Sequence, residues 1–303
     1  MKRSIWDYLF DSANVIFLGL LGLITLFPFW TLVISSFVDA QEFYSREIVM
    51  WPQRPNIQAY RFLLGAEWIW NGYRISTTVT VLATLYCMFL ILTCAYPMTK
   101  DALPGRKAIH YYFLFTMYFS GGLVPTFILI TNTFRMRDSM LTMIIINGLP
   151  IWHYLIMRNF IKNIPVDLRE SAILDGASEF QVLWKIIIPL SMPAIATLTL
   201  FQAVSHWNNW MRAFLYINSD MKMPLPIILR RIALEEATRG QVSAYMDMME
   251  SYRRYTGGGY GEAPAEHAIK NATIAIVALP IMCLYPFFQK HFAKGVLVGS
   301  VKG

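Results

Sequence analysis

Six segments of the chain contain no Asp, Glu, Lys or Arg, and they restrict its fold more than any other feature. They cover residues 15–37, 75–99, 108–131, 139–157, 187–211 and 271–289. At a rise of about 1.5 Å per residue, even the shortest segment would form a helix about 28 Å long, close to the roughly 30 Å thickness of a bilayer's hydrocarbon core. The sequence therefore predicts an all-α membrane protein with six transmembrane helices.

Composition excludes the main alternatives. Hydrophobic residues make up 56% of the 303 residues and charged residues only 15%, which is too apolar for a soluble domain of this size. The net charge of +7 forms no basic stripe with interleaved aromatic residues, so no nucleic acid is expected as a partner. The three cysteines match no zinc or disulfide spacing. We therefore expect a lipid bilayer as the surroundings of the chain, and no metal site.

The charges between the segments indicate an orientation. Six spans place both termini on one side of the membrane, and the density of Lys and Arg in short loops favours the cytoplasmic side for them. The loops on that side include Lys100, Arg106, Lys107, Lys290 and Lys294. The prediction is a multi-pass protein with a structured cytoplasmic loop at 162–186. Two extracytoplasmic segments follow from it, a folded crossing loop at 38–74 and a longer segment at 212–270.

The six segments lack the groups that drive many carriers. Charged residues inside a span usually mark an ion or proton pathway, and these segments contain none. Energy for transport would therefore come from outside the bilayer. Prolines within the segments should bend their helices, because each removes a backbone hydrogen bond. They are Pro28, Pro97, Pro125, Pro150, Pro189, Pro193, Pro280 and Pro286.

Neutral polar and aromatic residues take the place of charges inside the spans. Amides bind sugar hydroxyls without burying a charge, and aromatic rings stack on sugar rings. The candidate contacts for a substrate are Asn147, Gln202, Trp207 and Asn208. The same residues would also serve to join helices. A pathway for a neutral, hydroxyl-rich solute and a structural role both stay open.

Local chemistry divides the cytoplasmic loop into two helices. Pro165 fits a first helical position, the acid Glu170 suits the positive end of the helix dipole, and Gly176 fits the left-handed residue that ends a helix. Ser178 and Gln181 have the spacing of a capping box, which would begin the second helix. The prediction is a compact knob that a soluble partner can bind.

The same loop resembles a known family. Residues 170–177 read Glu-Ser-Ala-Ile-Leu-Asp-Gly-Ala, and with Pro189 and Pro193 downstream they are similar to the "EAA" loop of permease subunits in binding-protein-dependent ABC importers. In that family the loop forms a coupling helix that docks in a cleft of the ATPase subunit. The resemblance implies that coupling here depends on Glu170, Ser171, Ala172, Asp175, Gly176 and Ala177. Ser171 stands in place of the usual second alanine.

Other segments extend the resemblance to the carbohydrate-uptake branch of that family. Trp51-Pro52 with residues 56–60 is similar to the "P-x-x-x-N-Y" motif of carbohydrate permeases, although Ala59 replaces the asparagine before the tyrosine. Trp207-Asn208 is similar to that branch too. Residues 285–295 resemble the C-terminal signature of the complex-oligosaccharide group, which contains alginate and pectin-fragment importers. The order of the spans resembles the second, maltose-G-like permease of such pairs.

The resemblance implies an architecture and a set of partners. The chain would form a single domain over residues 1–303 with the type I ABC importer permease fold and cytoplasmic coupling helices, in a bacterial cytoplasmic membrane. Its partners would be a second permease, two ATP-binding subunits and an extracytoplasmic binding lipoprotein. ATP and Mg²⁺ would be bound by the ATPase, with no cofactor and no catalytic residue in this chain. The glycine-rich part of the outer segment would contact the binding protein through Thr256, Gly257, Gly258, Gly259, Tyr260 and Gly261.

The function implied is import of an oligosaccharide driven by ATP. The basic residues Arg135, Arg137, Arg253 and Arg254 would attract an acidic, polysaccharide-derived sugar, unless they are only solvated surface charges. Two alternatives stay open: a permease for a different neutral solute, and a standalone secondary sugar transporter. A membrane enzyme is disfavoured, because the five histidines have no carboxylate or cysteine companions at useful spacing.

Overall fold

The computed structural model describes residues 5–146, 148–235 and 267–283, and every regular element among them is helical. In chain order the helices are α1 Ile5–Ser35, α2 Ala40–Ser45, α3 Gln58–Gly65, α4 Glu67–Ala95, α5 Arg106–Tyr118, α6 Leu123–Ile128, α7 Met140–Ile145, α8 Ile151–Lys162, α9 Asp167–Leu174, α10 Glu179–Val182, α11 Ile188–Leu190, α12 Met192–Trp207, α13 Trp210–Tyr216, α14 Leu225–Glu235 and α15 His267–Cys283. Short 3₁₀ turns lie at Pro97–Thr99 and Asp220–Lys222, and π-helical turns at Leu129–Thr133 and Leu183–Ile187.

Two helices in the described residues are long and apolar enough to cross a membrane unbroken, namely α1 and α4 with its extension to Thr99. Two bent pairs raise that number to four if each pair is one span. In the first, α5 meets α6 and its π turn at 108°, and in the second, α10 and α11 meet α12 at 81°. The 17-residue α15 is apolar but shorter. Both α1 and α4 begin before the predicted spans, at Ile5 and Glu67, because a helix can continue beyond the uncharged segment.

Three of the predicted spans are broken and not merely bent by proline. The segment 108–131 is interrupted at Phe119–Gly122, where Gly122 has φ +83°. In the segment 139–157, α7 ends at Ile145 and α8 begins at Ile151; before α8, Gly148 has φ +53° and Pro150 is the N-cap residue. In 187–211 the break falls at Ser191, and Pro193 lies in the first turn of α12. The last two prolines stand where a helix begins, a position in which the missing N–H costs little.

The described residues form two compact units. The first comprises residues 5–69, 229–235 and 267–279. It contains the segment after α1, which folds back on itself: the Asn56 N–H donates to the Phe37 carbonyl at 2.7 Å, and the Tyr60 ring stacks on Phe37 with centroids 4.8 Å apart. The Tyr60 hydroxyl also lies 2.8 Å from Ser36 Oγ. The segment is therefore folded, and the "P-x-x-x-N-Y" tyrosine is one of the residues that hold it; its extracytoplasmic position stays a prediction.

The second unit contains residues 70–228, and α4 is its central helix. One core cluster surrounds the C-terminal half of α4, where Ile91 and Tyr96 pack with Tyr154 of α8. Another surrounds the N-terminal half, where Ile75 and Val79 are buried. Ile75 and Tyr96 are 21 residues apart, so the outer ends of the two clusters lie about 30 Å apart along α4.

Asp138 makes a set of polar contacts in the second unit, at the end of that unit where α4 begins. Asp138 has a left-handed backbone, with φ +55°, and its carboxylate accepts the N–H groups of Asn218 and Ser219 at 3.1 and 3.0 Å. Lys222 Nζ donates to the other carboxylate oxygen at 2.9 Å. These bonds join the loop before α7 to the segment after α13. They also hold the pKa of Asp138 at about 2, well below its ordinary value, chiefly through the Ser219 N–H.

Candidate functional site

The loop between α8 and α12 forms the knob, which we define as residues 166–187. Its first helix, α9, ends in a Schellman motif around Gly176, whose φ is +86°. The Ala177 N–H donates to the Ala172 carbonyl at 2.9 Å, and the Gly176 N–H donates to the Ile173 carbonyl at 3.0 Å. The predicted role of Gly176 as the left-handed residue after the helix is therefore confirmed.

The second helix of the knob begins at the predicted capping box. Ser178 Oγ accepts the Gln181 N–H at 3.3 Å, and Gln181 Oε1 accepts the Ser178 N–H at 2.8 Å. The helical path then runs through the π turn to Leu190. One local prediction is wrong: Pro165 is not a helical residue, because α9 begins two positions later, at Asp167, after Val166. The acids Asp167 and Glu170 do lie in the first turn of α9, where the helix dipole favours negative charge.

The six residues predicted to couple to an ATPase lie together around the glycine turn. Glu170, Ser171, Asp175 and Gly176 are exposed, whereas Ala172 and Ala177 are half-buried. The two alanines pack against the core cluster of α4 and α8, so only a small side chain fits between α9 and that cluster. A Cβ on Gly176 would meet no atom within 4 Å, which places this residue on the open surface of the knob.

Apolar side chains cover the outer surface of the knob. Leu174, at the end of α9, is 88% exposed, and Phe180, in the first turn of α10, is 69% exposed. Val166 and Trp184 are exposed as well. The Phe180 and Trp184 rings are neighbours, with centroids 5.9 Å apart, and exposed apolar groups with acidic neighbours are typical of a surface that binds another protein.

Glu179 makes a cluster of hydrogen bonds and ion pairs between the knob and the end of α4. The sequence did not predict this cluster. The Glu179 carboxylate accepts hydrogen bonds from three side chains on two other segments: Arg169 Nη2 at 2.8 Å, Lys100 Nζ at 2.6 Å and the Tyr96 hydroxyl at 2.5 Å. Lys100 also lies over the Tyr96 ring, 4.3 Å from its centroid. We call these four residues the Glu179 joint. It links α9 and α10 to the C-terminal end of α4.

The joint should respond to acid. The Arg169 guanidinium, with Lys100 and Tyr96, lowers the pKa of Glu179 from 4.5 to about 2. A lowered pKa means that the carboxylate stabilises the fold above about pH 4.5 and that this contribution is lost as the pH falls toward 2. We expect hydrogen exchange, corrected for intrinsic rates, to show more protected α9 amides in the parent than in Glu179→Gln at pH 6. The two should converge near pH 2. An equal difference at both pH values would contradict the assignment.

The residues predicted to contact a substrate are separated by burial. Gln202 is 2% and Trp207 7% exposed, whereas Asn208 is exposed at the end of α12. Trp207 lines a cavity of about 10 Å³ with His206 and Arg212, which is room for about one water molecule and not for a sugar ring. Within the described residues, burial therefore favours the structural role for Gln202 and Trp207. Asn208 stays a predicted substrate contact.

Other predicted site residues lie outside the described residues. They are Asn147, the proposed binding-protein contact at 256–261 and the C-terminal signature at 285–295. These predictions therefore stay predictions.

Apolar helices around α4, whose apolar window is 44% buried, define a class, that of helical membrane proteins. Residues 103–298 match the family described as "Binding-protein-dependent transport system inner membrane component". This match covers more than half of the chain, and the chain belongs to that family. It is therefore a membrane permease component of a binding-protein-dependent ABC importer.

Individual relatives cover nearly the whole chain. It is 38% identical over 297 residues to the polygalacturonan/rhamnogalacturonan transport system permease protein YtcP of Bacillus subtilis (strain 168), covering 97% of this chain and 99% of the relative. It is 37% identical to protein LplC of the same organism, covering 97% and 95%. Among solved structures it is similar to a bacterial ABC transporter that imports the acidic polysaccharide alginate. The TM-score is 0.82 at 26% identity, over 96% of this chain and 99% of the other.

Proposed function

We propose that the chain is one of two permease subunits in an importer that moves an acidic oligosaccharide from an extracytoplasmic binding protein into the cytoplasm. The observation that carries the proposal is the knob: a helical projection, with an exposed apolar and acidic surface, on a membrane permease whose described regular elements are all helical. The complex would contain two ATPase subunits, and one of them would bind this surface. Closure of the two ATPases on ATP would move the knob and turn a central pathway outward, and hydrolysis would reset it.

The exposed surface of the knob also indicates which role each subunit has in this complex. We place ATP and Mg²⁺ on the ATPase subunits, so that this chain contributes binding and movement and no catalytic residue or cofactor. Glu170, Ser171, Asp175 and Gly176 would meet the ATPase, whereas Ala172 and Ala177 would hold α9 against the core. The knob and both termini would then lie on the cytoplasmic side. Residues 256–261 would reach the binding protein on the opposite side.

Two kinds of support favour an acidic sugar. One relative is described as a polygalacturonan/rhamnogalacturonan permease, and a similar solved structure belongs to an alginate importer. Polygalacturonan and alginate both carry carboxylates. In addition, Arg135 and Arg137 are exposed on the loop before α7, which would face the binding protein in this orientation. Basic side chains at that entrance would raise the local concentration of an anionic sugar.

Uptake into vesicles tests the substrate class. The complete complex, with its second permease, ATPases and binding protein, is reconstituted and given labelled trigalacturonate or its methyl ester, which has the same sugar chain without the charges. We expect ATP-driven uptake of the acid to exceed that of the ester by at least about tenfold, a difference of about 1.4 kcal/mol in selectivity. Equal uptake of both would favour the alternative of a neutral solute. The absence of charged residues from the predicted spans is the observation that supports this alternative.

Purifying the chain alone tests the remaining alternative. A standalone secondary transporter would carry sugar in vesicles without ATPase subunits, and the described helices of this chain lack the carboxylates inside apolar spans that usually couple such carriers to ions. We expect no uptake by the isolated chain under a proton or sodium gradient, with uptake restored by the complete complex and ATP. Gradient-driven uptake by the chain alone would reject the proposal.

A further inference from the structure

The Glu179 joint connects parts of the chain that the backbone connects only loosely. Toward its N terminus, the knob is joined to α8 through the non-helical residues 163–166. Toward its C terminus, it is joined to α12 across the 81° break at Ser191. Non-helical linkers and helix breaks are the places where a chain bends when one part moves against another. The backbone alone would therefore let the knob turn relative to the spans.

Two kinds of contact resist that turning. Val182 and Leu183 of the knob are buried, and with the half-buried Ala172 they pack in the core cluster of Tyr96 and Tyr154. Such apolar contacts hold the knob against the core, but they have no preferred direction and allow sliding. Hydrogen bonds to a charged carboxylate are directional and stronger than neutral ones. The joint therefore adds directional bonds between the knob and the end of α4 to the non-directional apolar contacts.

The joint is more than an exposed ion pair. An isolated surface salt bridge contributes little, because water and salt screen it, and the Glu179 side chain is itself 46% exposed. Its partner Tyr96, however, is only 4% exposed. Removing the carboxylate would leave a largely buried hydroxyl without this acceptor, which costs more than the loss of a solvated pair.

Through Tyr96, the joint is connected to the whole length of α4. Tyr96 follows directly after α4, and α4 runs from this end to the cluster around Ile75 and Val79, about 30 Å away. A straight helix packed at both ends moves as a rod. Displacement at the knob is thereby carried through side chains to the far end of α4, and it bypasses the bent backbone connections.

We propose that Glu179 is a positioning residue that makes the knob and the adjacent end of α4 move as one body, so that an ATPase stroke applied to the knob drives α4. This inference rests on the proposed function, because the stroke comes from the ATPase. It names the internal route of the force, with Arg169, Lys100 and Tyr96 as the groups that complete the connection.

The test combines uptake with a distance measurement in the complete complex. Spin labels on Asp167, in α9, and Ala102, in the turn after Lys100, report the separation of the knob from the end of α4, since both positions are exposed. In the labelled parent we expect one narrow distance distribution that is unchanged by ATP. In Glu179→Gln we expect normal assembly, a distribution that broadens with ATP, and uptake lowered on the order of tenfold, as for the loss of a typical coupling between sites.

Matched variants separate positioning from folding. Asp101→Asn is the control, because it makes the same change from carboxylate to amide at a 93% exposed side chain paired with Arg106, and its uptake and distances should match those of the parent. Glu179→Asp keeps the charge with a shorter reach and should restore part of the uptake. If Glu179→Gln fails to fold, Tyr96→Phe removes a single hydroxyl, keeps the ring beneath Lys100, and should broaden the same distance distribution.

Two results would overturn the inference. In the first, a folded Glu179→Gln or Tyr96→Phe complex keeps the parental uptake. In the second, uptake falls while the distances stay narrow with and without ATP, which would make Glu179 a docking residue. Failure of the proposed function is a distinct outcome: the parent complex would then take up no oligosaccharide with ATP, although its label distances would still report the rigidity of the joint.

Discussion

Replacing Gly176 by tryptophan is expected to abolish ATP-driven uptake and to release the ATPase subunits, while the chain itself stays folded. The residue has φ +86° and an open space where its Cβ would point. Any L-residue there is strained by about 1–2 kcal/mol, and the indole ring would project from the surface that the ATPase is proposed to bind. We expect uptake to fall at least about a hundredfold, equivalent to about 2.7 kcal/mol of lost interaction. Vesicle uptake and co-purification of the ATPase measure both effects.

Two controls separate the effect of the indole ring from the effect of backbone strain at position 176. Gly176→Ala introduces the strain without the ring, so most of the uptake should remain. Gly105→Trp introduces the same ring at another left-handed glycine, which has φ +71° and no neighbour within 4 Å of a Cβ, in the loop before α5. It should leave ATPase binding intact. Normal uptake and normal assembly of Gly176→Trp would reject the knob as the coupling surface.

Replacing Tyr154 by alanine is expected to have the largest effect on stability. Its side chain is fully buried, at 0% exposure, and makes an edge-to-face contact with Phe113 at 5.2 Å between centroids. The hydroxyl lies 3.3 Å from His110 Nδ1. Removing a buried aromatic ring leaves a cavity and costs about 3–5 kcal/mol. Thermal unfolding of the purified chain in detergent measures the loss.

The same helix neighbourhood offers a control for that substitution. Tyr111 lies on α5 and is 68% exposed, so Tyr111→Ala removes an identical side chain without creating a cavity. Its unfolding temperature should stay close to that of the parent. An equal loss of stability in both variants would mean that the core between α5 and α8 is not packed as described.

The knob was predictable because local chemistry determines it. Gly176, Ser178 and Gln181 act within one or two turns of the chain, and their roles in the Schellman motif and the capping box follow from residue type and spacing. The start of α9 was less predictable. Pro165 suits a first helical position, but the helix begins two residues later, and such ends vary by one or two residues.

The Glu179 joint was not predictable from a single sequence. Tyr96 and Glu179 are 83 positions apart, and no local sequence pattern around either residue predicts their contact. A glutamate in the first turn of a helix already has a sufficient local explanation in the helix dipole. Ala172 and Ala177 pack against the core cluster, but Ser171, Gly176 and Ser178 beside them are also small and are exposed. Residue size alone therefore does not show which of these residues approaches a neighbour.

The positions of the spans were predicted from the absence of charge, but the helix breaks and the burial of side chains within them were not. Absence of charge identifies which residues can lie in lipid, and it is silent about breaks such as the one at Ser191. Polar residues inside the spans were ambiguous for a related reason. Gln202 and Asn208 are similar in chemistry, yet one is buried and the other exposed, and α12 has too little contrast between its faces for periodicity to separate them.

The uncovered surface of α1 makes this helix depend on the thickness of the bilayer. Its residues within the uncharged segment, 15–35, span about 32 Å, close to a hydrocarbon core of roughly 30 Å. Such a helix tilts more in a thinner bilayer than in a typical one. The apolar window of α1 is 0% buried against the described residues, which leaves it for lipid or for the proposed second permease subunit to cover. Membrane composition would thereby reach the folded segment after α1, which begins directly where the helix ends.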